Sequence, residues 1–159
     1  MEKTSSKYFN QKMKEKKIKK VFVDGAISPA FVGESIARHS TKNDIGAHSI
    51  FLGQVRSDVI DNKEVKAIDY SAYIEMAEDK FHEIREAAFG KYSLTCMHIY
   101  HSLGKVNTGG ISLFVFTSSV HRKDAIKACE EIVERIKNEV PVWGKEIFED
   151  ESFHWKINN

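Results

Sequence analysis

The chain has 159 residues, enough for one domain with a sizeable core. Its 24 Lys and Arg side chains nearly balance 23 Asp and Glu, so no global field favours nucleic acid or an anionic membrane, and a bound anion must rely on a local cluster. No apolar run is long enough to span a bilayer, and the Lys-rich start lacks the apolar stretch of a secretory signal, which together point to a cytosolic protein.

In chain order, residues 1–17 read as a flexible basic extension and residues 18–159 as a single domain. Ile18 to Val23 reads as a strand. Ser28-Pro29 has the form of an N-cap followed by Pro at the first helical position, opening a helix to about His39 with Phe31, Ile36 and Ala37 as its buried face. Gly46 to Arg56 is a strand with apolar residues on both faces, and the polar run Ser57 to Glu64 is a loop. Val65 to Tyr73 is a third strand. A helix follows from Ile74 to Gly90, with Ala77, Phe81, Ile84 and Ala88 as its core stripe and Gly90 as its stop. Leu94 to His101 and Ile111 to Ser118 are strands separated by a Gly104 to Gly110 turn region. Ser119 or a neighbour caps a helix to about Glu139, striped by Ala125, Cys129, Ile132 and Ile136 and ended by Pro141. Val142 to Phe148 and Phe153 to Ile157 are short strands around the acidic turn Glu149-Asp150-Glu151. This order is no regular βαβ alternation. It predicts an α+β fold, a largely antiparallel sheet with flanking helices.

Both cysteines, Cys96 and Cys129, sit in apolar patterns and read as buried thiols; there is no CxxC and no Cys/His spacing that suggests zinc. Ser118-Ser119-Val120-His121-Arg122 joins a strand end to a helix start, where unpaired N–H groups, the helix dipole, a His and an Arg suit a phosphate, or simply form a capped helix with a solvated Arg. Arg56 closes a strand and can fork onto a phosphate or pair with Asp58 or Asp61. Lys137 follows the core residue Ile136. It either offsets the helix dipole or stands against an apolar wall as a catalytic cation. Val140-Pro141-Val142-Trp143-Gly144-Lys145-Glu146 forms a rigid corner in which Trp143 is core or lines a pocket for a flat ring, with Lys145 as surface charge or second cation. His101 ends a strand and reads as a structural histidine.

Together these stretches resemble the large subunit of molybdopterin synthase from Gly46 to about Trp155. The landmarks run in the family's order: Gly46-Ala47 with Phe51, Gly53 and Val55-Arg56; Tyr73 with Met76-Ala77-Glu78; His101 with Gly104; Gly109-Gly110; Ser119 with His121-Arg122 and Ala125; Lys137, Pro141, Trp143, Lys145-Glu146; and Trp155. The resemblance implies a hammerhead-like α+β fold and a sulfurtransferase. Its substrate is a cyclic pyranopterin monophosphate, which receives two sulfurs from the thiocarboxylated C-terminus of a small ubiquitin-like subunit, toward molybdenum cofactor. It implies no metal and no redox cofactor, and a homodimer of large subunits within a heterotetramer, each pocket borrowing residues from the neighbouring large subunit. It assigns Lys137 and Lys145 to catalysis, and Arg56, His121, Arg122 and Trp143 to substrate binding. The chain departs from the family pattern where a lysine usually follows the closing tryptophan: that position is Gly144, and the lysine is Lys145, whose side chain a strand would turn to the opposite face. Ser102 and Ser71 also replace usual charged residues, and no counterpart is assigned to the family's basic residue beyond Trp155. Two other readings remain at this level: a large-subunit relative that binds the small subunit but turns over poorly, and an α+β module for a phosphorylated ligand or RNA. Near-zero net charge and the lack of an exposed aromatic strand motif count against RNA.

Overall fold

The computed structural model describes residues 19–157, so the extension expected over 1–17 lies outside the described residues. Its elements are β1 (Phe22–Asp24), α1 (Pro29–His39), β2 (Ala47–Gln54), β3 (Val59–Ile60), β4 (Lys63–Ala72), α2 (Ile74–Lys91), β5 (Cys96–Asn107), β6 (Ile111–Ser119), α3 (Arg122–Glu139), β7 (Val142–Phe148) and β8 (Phe153–Trp155). The sheet runs β2-β6-β5-β4-β7-β8, with β1 paired to β5 and β3 to β4. Every pairing between these strands is antiparallel except β1 with β5. The expected α+β class therefore holds.

Alternation along β6 gives the sheet two buried faces. Leu113 and Val115 join Phe81, Ile84, Ile132 and Ile136 of α2 and α3 on one side. Phe114 and Phe116 join Ile27 and Val32 beneath α1 on the other. On α2, Ala77, Phe81, Ile84 and Ala88 are all buried, as their spacing predicts, and on α3 so are Ala125, Cys129, Ile132 and Ile136.

Four local expectations are corrected. Ser28 does cap α1, accepting from the Ala30 N–H at 3.1 Å, but the helix buries Val32, Ser35 and His39 while Ile36 and Ala37 face outward. The Ser57–Glu64 loop contains a tight hairpin: β3 pairs with the start of β4 around Asp61 and Asn62, both at positive φ, as a two-residue primed turn requires. The helix passes through Gly90 to Lys91, and the Tyr92 N–H donates to the Ala88 carbonyl at 2.9 Å. Gly104 lies inside a strand, because β5 is continuous to Asn107. Its φ of +79° marks where β5 leaves β1 and β6 and takes β4 as its neighbour.

Phe81 is almost fully buried and meets Phe22 edge-on at 5.7 Å, so it fastens α2 to the first strand. Phe81→Ala is expected to lower stability by about 3–5 kcal/mol, measured by denaturant unfolding. A loss within the range of ordinary surface substitutions would contradict this packing.

Candidate active site

A cleft opens where the C-terminal end of α3 meets β7. It is lined by Tyr70, His101, Lys137, Trp143, Gly144 and Lys156, with apolar walls from Ile136, Val140 and Val142. Lys137 reaches it from the last turn of α3, and its pKa lies below the usual lysine range, first because the walls desolvate it and then because the Lys156 cation is near. His101 is buried, and its Nδ1–H donates to the Ser102 carbonyl at 2.8 Å. Burial holds its pKa down to about 4, with a further push from Lys137, so it is neutral at physiological pH with Nε2 unprotonated. The Tyr70 ring stands edge-on to His101 at 5.3 Å and its hydroxyl donates to Ser112 Oγ at 3.1 Å. Burial raises the Tyr70 pKa, so it stays a neutral phenol. Trp143 stands at the rim, 44% exposed, edge-on to exposed Tyr73 at 5.0 Å.

The β7–β8 ladder decides which lysine enters. Lys145 pairs across the ladder with Trp155, and its ammonium lies over the Phe153 ring at 4.7 Å and the Trp155 ring at 5.1 Å. It does not line the cleft. Gly144 does, and a Cβ there would come within 2.8 Å of Ile68 Cγ2 and 3.7 Å of Lys156 Cβ. The Lys156 N–H donates to the Gly144 carbonyl at 2.9 Å, which sets Lys156 beside the glycine. Buried Glu146 lies 3.8 Å from the Lys156 ammonium and 3.2 Å from His154 Nδ1.

The other sequence candidates sit elsewhere in this chain. Arg56 is exposed beyond the end of β2 and pairs with Asp58 at 3.2 Å. His121 and Arg122 line a shallow depression with Lys123, Ile126 and Lys127 at the start of α3. His121 is the N-cap residue but makes no side-chain cap bond. Gly46 is required nearby: a Cβ there would lie 2.1 Å from the Val120 carbonyl oxygen. Thus Lys137 and Trp143 come together, while His121 with Arg122, Arg56 and Lys145 each lie apart from that cleft.

The family described as MoaE protein matches residues 27–139. The chain is 35% identical over 122 residues to the molybdopterin synthase catalytic subunit of Pyrococcus abyssi, covering 77% of this chain and 81% of that one. It is 40% identical over 107 residues to the Staphylococcus aureus subunit of the same name, covering 67% and 72%. The Bos taurus subunit is 34% identical over 113 residues, 71% of this chain, but this chain spans only 59% of its length. Among solved structures, that of molybdopterin synthase from Staphylococcus aureus superposes with a TM-score of 0.75 at 34% identity, covering 86% of this chain and 96% of that one.

The chain belongs to the MoaE family.

Against the family pattern, strand parity explains what the sequence left open. Lys145 turns away, as a one-residue shift dictates, and Lys156 brings a cation to the face that Gly144 leaves bare. Sequence reading passed over Lys156 and Tyr70, since only cross-strand pairing brings them to Lys137. The reading of His101 as a structural histidine fits its buried, hydrogen-bonded ring, which also forms a wall of the cleft.

His101 also predicts a pH effect. Its folded pKa, about 4, lies below the ordinary 6.5, so between those values the unfolded chain binds more protons. Its contribution to stability is present above about pH 6.5 and lost as pH falls toward 4. His101→Gln should flatten the acid limb of a Tm-versus-pH curve in that window; an unaltered slope would contradict the buried neutral state.

Proposed function

We propose that this chain acts as the catalytic large subunit of a molybdopterin synthase, moving sulfur from a thiocarboxylated small-subunit tail onto a cyclic pyranopterin monophosphate. The observation that carries this reading is the cleft itself. A desolvated lysine, a second lysine, a neutral histidine and a tryptophan rim surround one groove with apolar walls. A thiocarboxylate is an anion on a narrow peptide end, and two ammonium groups in a poorly hydrated groove attract it more strongly than they would in water. Lys137 is assigned to hold that group and to stabilise charge developing on it during acyl–sulfur cleavage. Lys156 takes the part first assigned to Lys145. Trp143, with exposed Tyr73 edge-on to it, offers flat apolar contact to the pterin or the incoming tail. The weak-scaffold reading rested on the missing lysine at Gly144, and the presence of Lys156 in the cleft supports the catalytic reading over it.

His121, Arg122 and Arg56 are assigned to the substrate phosphate. The start of α3 lies about 22 Å from Lys137, 15 residues along the helix axis. One pterin cannot reach both, so the reading requires a composite pocket in which a neighbouring large subunit lends its α3 start to this cleft. The small subunit then docks at each outer end, as the family arrangement implies.

Lys137→Ala should leave folding and small-subunit binding intact and abolish product formation with a thiocarboxylated partner. Lys156→Ala should slow turnover strongly, and Lys145→Ala only slightly. Near-normal turnover by the Lys137 variant would refute the assignment. The composite pocket has its own check. Lys137→Ala and Arg122→Ala chains, each inactive alone, are refolded as a mixture. If the two residues serve one pocket from different subunits, half the dimers are mixed and about a quarter of all pockets carry neither lesion, restoring activity to that level. No recovery would mean that both residues act within one chain.

A further inference from the structure

On the opposite face of the sheet, beneath α1, a histidine distant in sequence meets a Cys-x-His pair. His39 is the last residue of α1; Cys96 and His98 alternate on β5 and so share a face. Their ligand atoms all lie within 4.8 Å of one another. His39 and Cys96 are buried and His98 is partly exposed, which leaves one side open to solvent. We propose that His39, Cys96 and His98 bind a single thiophilic metal ion, with Zn2+ as the fitting occupant.

The imidazole arrangement supports this. His39 Nδ1–H donates to the Ser35 carbonyl at 2.6 Å, which fixes its tautomer and leaves Nε2 with a free lone pair. That Nε2 faces His98 Nε2 at 3.0 Å. Without metal, His98 carries its proton on Nε2 and donates to His39. With metal, the proton moves to Nδ1 and both lone pairs turn to the ion. Two nitrogens on a tetrahedral zinc at about 2.0–2.1 Å stand about 3.3 Å apart, so this pair needs almost no movement. Cys96 must approach by up to about 1 Å to place its sulfur at about 2.3 Å from the ion. The Phe116 ring packs 4.8 Å from His39 and 6.2 Å from His98, and restrains both rings from below.

The Lys42 ammonium competes with the ion, donating to Cys96 Sγ at 2.8 Å. Binding replaces that contact. Cys96 gives up its proton to solvent, the thiolate takes the metal, and Lys42 swings outward to leave the fourth position to water. Lys19 and Arg85 add positive charge near His98, which opposes a dication, so binding depends on the negative charge of the Cys96 thiolate. The site lies across the sheet from the Lys137 cleft and does not depend on the synthase reading.

Cobalt(II) titration of the metal-free full chain tests the proposal. A near-ultraviolet sulfur-to-cobalt charge-transfer band and intense tetrahedral visible bands should saturate at one equivalent and vanish on adding Zn2+. Cys96→Ser should abolish the charge-transfer band, whereas Cys129→Ser should keep it. His98→Asn should weaken binding by about tenfold or more. Lys42→Met should tighten it by removing the competing cation. Zn2+ should raise the Tm of the unmodified chain more than that of the His98 variant at the same concentration. If Cys96→Ser fails to fold, the opposite effects of the His98 and Lys42 substitutions decide. Absence of the charge-transfer band at excess cobalt, its survival in folded Cys96→Ser, or equal affinity in His98→Asn and the unmodified chain would each overturn the site.

Discussion

Burial of β6 on both faces is the constraint from which the other features follow. From Ser112 to Ser119 every residue of this strand is buried. A strand so placed must alternate its apolar side chains between two cores, and it does: Leu113 and Val115 to one, Phe114 and Phe116 to the other. Helices must then cover both sides, α2 and α3 on one and α1 on the other. Where the strand turns polar, each hydroxyl has a partner. Thr117 Oγ1 donates to the Ala125 carbonyl, Ser118 Oγ meets His48 Nδ1, and Ser119 Oγ donates to the Ser93 carbonyl. A buried hydroxyl left without a partner would cost about 1–3 kcal/mol, so these bonds set where β6 ends and where α3 begins.

The two-sided sheet also separates the chemistry. Lys137, Lys156 and His101 face the α3 side, while His39, Cys96 and His98 face the α1 side. One strand, β5, thus contributes to both clusters. His98 and His101 are three apart on one strand and point to opposite faces, and burial lowers the pKa of each to about 4. On each side the imidazole is neutral at physiological pH and offers a lone pair instead of a charge.

Legibility in the sequence followed the range of the interactions. The α2 and α3 stripes were legible because apolar residues recur at helical spacing and nothing else competes for that face. The α1 stripe was misread because two of its buried positions, Ser35 and His39, are polar and satisfied locally: Ser35 Oγ donates to the Phe31 carbonyl, and His39 Nδ1–H to the Ser35 carbonyl. The apolar Ile36 and Ala37 face outward in their place. Gly104 suggested a turn, since positive φ is the usual reason for such a glycine, and nothing local reveals that the conformation serves a change of strand partner. Lys137 and Trp143 stood out from local pattern, and the family landmarks then chose between their open roles. Lys156 was missed because its place depends on β8 pairing with β7, a relation between strands that composition does not encode. The His39, Cys96, His98 group was invisible for the same reason: His39 lies more than fifty residues before the Cys96-Met97-His98 stretch, and only packing α1 on the sheet brings it there.

The parity of β7 bears directly on how a family site tolerates substitution. A lysine at position 144 would have to displace Ile68, because even a Cβ there approaches its Cγ2 to 2.8 Å. With glycine, Ile68 and Tyr70 pack against the backbone, and the vacated space admits the Lys156 stem from the adjacent strand. The cation then approaches the cleft from just beyond β8 with its ammonium near buried Glu146. Lys156 thus brings a positive charge to the groove beside the glycine. Lys145 is not idle in this exchange. By lying over Phe153 and Trp155 it fastens the short β8 to β7, and that pairing is what holds Lys156 beside Gly144. A charge at 145 and a glycine at 144 are therefore two halves of one arrangement, and neither is interpretable without the strand that follows them.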